Sequence, residues 1–220
     1  MGTFTLSTTS HGGSDTGGSY SIGTINVPAG ALIVVGTRWE GGNNTATISD
    51  TAGNSYTNVG YKICESDGED EQVGLWYTLS SGANAANEVM VTTAATDYRY
   101  GHTAVFTYSG TIDQIDAFVS NEALSDLGTF PFTSSGSLTT DSDGLTVAIV
   151  GVYNGGRTPV SWDDSFLNLS TESYSEMGYK IGSHSGVVSG ELAQQDTYAI
   201  IACNFENAAG GALPLIMQQM

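Results

Sequence analysis

Short runs of apolar and β-branched residues recur along the whole chain, separated by clusters of Gly, Asn, Asp and Ser, and helical periodicity is almost absent. In a strand, successive side chains point to opposite faces. Many short runs of this kind, broken by turn residues, predict an all-β antiparallel sandwich of jelly-roll-like character. The pattern predicts strands over 19–27, 31–39, 45–49, 55–63, 72–80, 87–93, 102–109, 115–120, 135–140, 145–153, 158–162, 174–181, 186–193 and 197–206. Turn chemistry agrees: Pro28-Ala29-Gly30, Asp50-Thr51-Ala52-Gly53-Asn54 and Asp141-Ser142-Asp143-Gly144 supply a preset φ, side-chain-closed turns and positive φ.

A repeat runs through these strands. The segment Gly30–Gly42 aligns with Gly144–Gly156 at a constant offset of 114, since 144 − 30 = 114 and 156 − 42 = 114. Val59-Gly60-Tyr61-Lys62-Ile63 then matches Met177-Gly178-Tyr179-Lys180-Ile181 at 178 − 60 = 118. This alignment equates Ile33, Val35 and Trp39 with Val147, Ile149 and Tyr153, and Ala104, Phe106 and Tyr108 with Ile201, Cys203 and Phe205. An internal duplication is therefore expected. Its halves are about 19–110 and 135–206, an arm at 1–18 precedes them and an apolar tail at 207–220 follows. Leu124, Leu127, Phe130 and Phe132 make the connection too apolar for a solvated linker. One fused double-sheet body is favoured over tandem sandwiches.

Charge narrows the partners. Of 220 residues, Lys and Arg number 5 and Asp and Glu 23, so the net charge is −18. Neutralising nucleic-acid phosphates needs several cations on one face, and an anionic membrane would repel this chain. Hydrophobic residues at 40% and aromatics at 10% nonetheless give it a core, unlike a disordered acidic tail. The segment Met1–Ser10 carries neither a basic region nor an apolar run, so a secretory leader is not expected. Cys64 and Cys203 are expected as free thiols, with Cys203 a core residue in an apolar strand.

Candidate chemistry is sparse. His11, His102 and His184 form no metal-binding pair at hairpin spacing. Gly182-Ser183-His184-Ser185-Gly186 places His where a nucleophile elbow needs Ser, so a hydrolase built on His184 is a minor hypothesis and no enzyme activity is expected. Glu65, Asp67, Glu69, Asp70 and Glu71 crowd five acids into seven positions, which predicts an extended solvated loop. The alternative is a Ca²⁺ site drawn from Glu65, Asp67, Glu69 and Asp70. Tyr20, Tyr56, Trp76, Tyr98, Tyr100, Trp162 and Tyr174 are candidate sugar-contacting aromatics. Trp76 is out of phase with Val73, Leu75, Tyr77 and Leu79, so it faces opposite them, and with Tyr98 and Tyr100 it forms the carbohydrate set. Phe4 and Leu6 near the start, and Leu213, Leu215, Ile216 and Met217 near the end, are the candidate interface residues, because an exposed apolar tail invites packing.

The order Val27-Pro28-Ala29-Gly30-Ala31-Leu32-Ile33-Val34-Val35, Ile48-Ser49-Asp50-Thr51-Ala52-Gly53-Asn54-Ser55-Tyr56-Thr57, Val73-Gly74-Leu75-Trp76-Tyr77 and Ser137-Leu138-Thr139-Thr140 before Asp143-Gly144-Leu145 resembles double-repeat β-sandwich modules of bacteriophage structural proteins. The resemblance spans roughly 19–206, carries no catalytic motif and implies a head decoration, fibre or tail accessory subunit. The expectation is a homo-oligomeric cement subunit on the outer face of a phage head, assembled in the host cytoplasm and contacting the major capsid protein or other virion subunits. It needs no cofactor beyond a possible Ca²⁺. The alternative is a carbohydrate-binding surface module.

Overall fold

The computed structural model describes residues 2–14, 18–40, 45–66, 69–94, 97–112, 115, 117–125, 128–153, 159–172 and 174–206. The described residues form sixteen strands and no helix. The first eight are β1 (Phe4–Ser14), β2 (Gly18–Val27), β3 (Leu32–Glu40), β4 (Thr47–Asp50), β5 (Thr57–Ser66), β6 (Glu69–Leu79), β7 (Asn84–Thr93) and β8 (Asp97–Tyr108). The second eight are β9 (Ala117–Leu124), β10 (Pro131–Thr140), β11 (Leu145–Val152), β12 (Pro159–Trp162), β13 (Leu167–Glu172), β14 (Ser175–Ile181), β15 (His184–Leu192) and β16 (Thr197–Phe205). Thus β1 and β13, rich in Ser and Thr or short, are the two strands that hydrophobic alternation alone did not predict.

The pairings are antiparallel throughout and repeat one topology. The first half forms a five-stranded sheet β1-β8-β3-β6-β5 and a three-stranded sheet β2-β7-β4. The second forms β9-β16-β11-β14-β13 and β10-β15-β12, the same order position by position. An order 1-8-3-6 facing 2-7-4 is that of a jelly roll, with the fifth strand moved to the edge of the larger sheet.

Four layers result. Ile33, Val35, Trp39, Trp76 and Val105 of the first large sheet pack on Ile22, Ile25, Val89 and Val91 of its small sheet. Ala148, Val150, Ile200 and Ala202 pack likewise on Phe132, Leu138, Val188 and Leu192. Between the two large sheets lies a third core, in which Leu32, Val34, Leu75 and Phe106 meet Val147, Ile149, Ile201 and Phe205. Because β3 and β11 belong to inner layers, both their faces are covered, and every residue from Leu32 to Trp39 and from Leu145 to Val152 is buried. The sheets approach closely where side chains vanish: a Cβ on Gly36 would lie 2.8 Å from Ile149 Cδ1, and one on Gly151 would overlap Val73.

Several expectations change. The double-sheet body becomes four sheets, two per half. Within the segment expected as an arm, Phe4–Ser14 form β1 paired along β8 and Gly18 begins β2, and Phe4 is 3% exposed in the central core. Phe4 is therefore packed within this chain, and Leu6 is partly buried beside it. Register also corrects the alignment. Leu32 and Leu145 open equivalent strands opposite Phe106 and Phe205, so the offset is 145 − 32 = 113. A slip of one residue exchanges the two faces of a strand. Ile33 and Val35 face their small sheet, whereas Val147 and Ile149 face the centre. The shared Gly-Tyr-Lys-Ile word lies on β5 and on β14, which are not counterparts; β6 is the counterpart of β14. The tail residues Leu213, Leu215, Ile216 and Met217 lie outside the described residues.

Gly151→Ala is expected to destabilise the fold by about 1–3 kcal/mol, as added methyls do in a filled core. Gly82→Ala, where a Cβ meets nothing within 4 Å, is expected to leave the urea midpoint unchanged, and denaturant titration of the two variants checks the difference.

Candidate functional site

In a jelly roll the fifth strand would border β4. Here β4 and β5 are terminal strands of different sheets, so a gap opens between them. The gap is a cavity of about 470 Å³, with Trp39 and Trp76 at its base and Thr47, Tyr56, Asn58 and Tyr61 around it. The two indoles lie 6.1 Å apart at 46°. Tyr61 is 53% exposed, so its ring stands at the mouth. The turn after β4 holds one wall. Asp50 accepts hydrogen bonds from Asn54 N (2.9 Å), Asn54 Nδ2 (2.7 Å), Asn87 Nδ2 (2.9 Å) and Tyr56 Oη (2.9 Å). Burial would raise the Asp50 carboxyl, but the hydrogen bonds from Asn54, Asn87 and Tyr56 outweigh it and hold Asp50 below the usual range. Burial and the adjacent Asp50 push the Tyr56 phenol upward, so it stays a donor.

Trp76 is only 5% exposed. The sequence places it on the correct face of β6, but that face is covered by the small sheet, so Trp76 is a floor residue and not an open platform. Tyr98 and Tyr100, two residues apart on β8, both approach Tyr174 at 5.4 Å between ring centroids. They close one end of the seam between the halves. Beneath Tyr174 the Arg38 guanidinium sits 4.7 Å from the ring centroid. Arg38 is fully buried, donates to the Tyr98 carbonyl at 2.9 Å and lies 3.3 Å from Glu71.

Glu71 corrects the reading of the acidic segment. β5 and β6 continue to Ser66 and from Glu69 as a hairpin, and Glu71 is 2% exposed against Arg38. Asp67, and the side chains of Glu65, Glu69 and Asp70, lie outside the described residues. Among the described residues no group of three His, Cys, Asp or Glu side chains is arranged to hold a metal.

The histidines are engaged by neighbours. His102 is fully buried, with Nε2 2.8 Å from Ser175 Oγ across the central core. Burial, with a smaller push from His11, drives its pKa down to about 3. His184 Nδ1 lies 2.7 Å from Asp164 Oδ2, and its Nε2 faces the Gly186 carbonyl at 3.2 Å rather than a serine hydroxyl. Asp164 adopts φ 54° in the turn after β12 and also accepts from Lys180 Nζ at 2.7 Å. Hydrogen bonds from Lys180 and then His184 lower its pKa. Cys203 is a buried free thiol whose pKa is raised by that burial.

The sequence singled out Tyr56, Trp76, Tyr98, Tyr100 and Tyr174, but it did not join Trp39 and Tyr61 to them. The available signal was the alternation of β3, which puts Trp39 on the same face as Val35, and Val35 is the residue that pairs with Trp76. Neither a protein-family model, nor a curated protein, nor a solved structure matches this chain.

Two outcomes are expected. Arg38→Ala removes the counter-charge of a buried carboxylate and should cost about 3–5 kcal/mol in denaturant unfolding, with Arg38→Met/Glu71→Gln recovering part of the loss. His102 has a folded pKa below the 6.5 of a free imidazole, so between these values the unfolded chain binds the extra proton. Its contribution is full above pH 6.5 and drains as pH falls toward 3, by as much as about 1.4 kcal/mol per pH unit. His102→Gln should flatten that limb of a stability–pH curve.

Proposed function

We propose that this chain is a non-catalytic building block of a virion, a decoration or cement subunit on the outer surface of a bacteriophage head. The observation that carries this reading is the fusion of two sandwiches through one apolar layer. Leu32, Val34 and Phe106 of one half are buried directly against Val147, Ile149 and Phe205 of the other. Such a body presents sheet edges and loops outward in two similar copies, as a bridging element needs. The shared strand order of the halves supports an origin by duplication. Jelly rolls are frequent in viral capsid and lectin domains, and this analogy of fold supports the reading.

Charge supports an exterior position. Of the 5 cations in the sequence, Arg38 and Arg99 are fully buried, while Lys62 and Lys180 are tied to Glu122 and Asp164. The outer surface is left strongly acidic, which disfavours contact with packaged nucleic acid and suits self-assembly in a salty medium, where screening mutes repulsion. Partners on this reading are the shell subunit and further copies of this chain. His184 bonds Asp164 and the Gly186 carbonyl, and the other histidine beside a serine hydroxyl, His102 with Ser175, is fully buried, away from any substrate.

The test is a mass-spectrometric census of purified particles, with light scattering on the isolated chain. The expected result is this chain at a fixed ratio to the shell protein, and an oligomer in solution. A particle lacking it, or turnover in a broad ester, glycoside and peptide panel that His184→Ala abolishes, overturns the reading.

A further inference from the structure

We propose that the gap between β4 and β5 is a binding site for a neutral saccharide, a function beyond assembly. The two halves repeat one topology but differ at this place. By register Trp76 corresponds to Gly178, since each lies opposite the fourth residue of its central strand, Val35 and Ala148. In the second half the indole of Trp162, from β12, lies over Gly178 and stacks on Phe166 at 5.9 Å, with its N–H donating to Glu176. That half thus fills the space with its own side chain. In the first half β4 carries Ile48 instead, the tryptophan moves to the floor, and about 470 Å³ stays open.

The open space suits a sugar ring. Its volume falls in the range of about 300–1,000 Å³ typical of small-molecule sites. Aromatic rings supply flat apolar faces with polar edges. Trp39 and Trp76 form the floor and the exposed Tyr61 ring stands at the mouth, while Asn58 and Thr47 bring amide and hydroxyl groups to the rim. As terminal strands, β4 and β5 also each keep one ladder edge without a strand partner among the described residues, and the backbone donors and acceptors of such edges suit hydroxyls. The lining residues carry no formal charge, and a chain of net charge −18 disfavours anions. A phosphorylated or carboxylated ligand is therefore disfavoured, and a neutral hydroxylated ring is the chemistry that fits. The Tyr56–Asp50 hydrogen bond fixes one wall before any ligand arrives, which reduces the ordering cost of binding.

The experiment titrates the full chain with glucose, galactose, mannose, N-acetylglucosamine and their short neutral oligomers. Saturation-transfer NMR and tryptophan emission are read at up to about 10 mM sugar. One class of saccharide is expected to saturate, with an emission change from Trp39 and Trp76. Tyr61→Ala should weaken it by about tenfold or more. Ile48→Trp, which copies the second half's plug, should abolish it, and both variants should keep the parent melting temperature. Tyr98→Ala, in the seam between halves, should leave affinity unchanged. Absence of saturation transfer for the whole panel overturns the proposal. So does binding that survives both Tyr61→Ala and Ile48→Trp, or binding lost only in Tyr98→Ala. If Tyr61→Ala fails to fold, Ile48→Trp and Asn58→Ala on the folded chain decide by the same criterion.

Discussion

The apolar layer between the two five-stranded sheets governs the rest of the molecule. Leu32, Val34, Leu145, Val147 and Ile149 each spend one face of a central strand on it, while their neighbours in sequence serve the outer cores. Strands buried on both sides leave no solvent face on which polar residues are free of cost. Among the polar groups that enter the layer, His102 meets Ser175, and Arg38 meets Glu71 and the Tyr98 carbonyl. Gly36 and Gly151 belong to the same constraint, because a methyl at either position would meet the opposite sheet.

Burying cations in such places shapes the exterior as well. Arg99, fully buried, donates to the Gly18 carbonyl at 2.7 Å and lies 5.4 Å from the Tyr20 ring centroid, pinning β8 to the start of β2. With Arg38 and Arg99 withdrawn, acidic groups dominate the outside. The same packing that joins the halves thus sets the electrostatic character of the surface on which the proposed assembly role depends.

The halves share topology without sharing chemistry. Exchanging Trp76 and Ile48 on one side for Gly178 and Trp162 on the other moves an indole from floor to lid. Strand order depends on backbone pairing and tolerates this exchange, whereas the presence of a cavity depends on which strand carries the large ring. A repeated framework can in this way support a closed half and an open one.

Alternation and turn residues were enough to predict fourteen of the sixteen strands, the all-β class and the closed Asp50 turn, because strand period and turn geometry are local properties. They also placed Trp76 opposite Leu75 and Tyr77, and put Cys203 in the core. They could not say that Trp76 would be covered, that Glu71 would turn inward, or that Phe4 would enter the core, since each depends on what a distant segment lays against that face. The one-residue error in aligning β3 with β11 has the same origin. When both faces of a strand are apolar, composition no longer marks which face is which, and only the opposing sheet decides it.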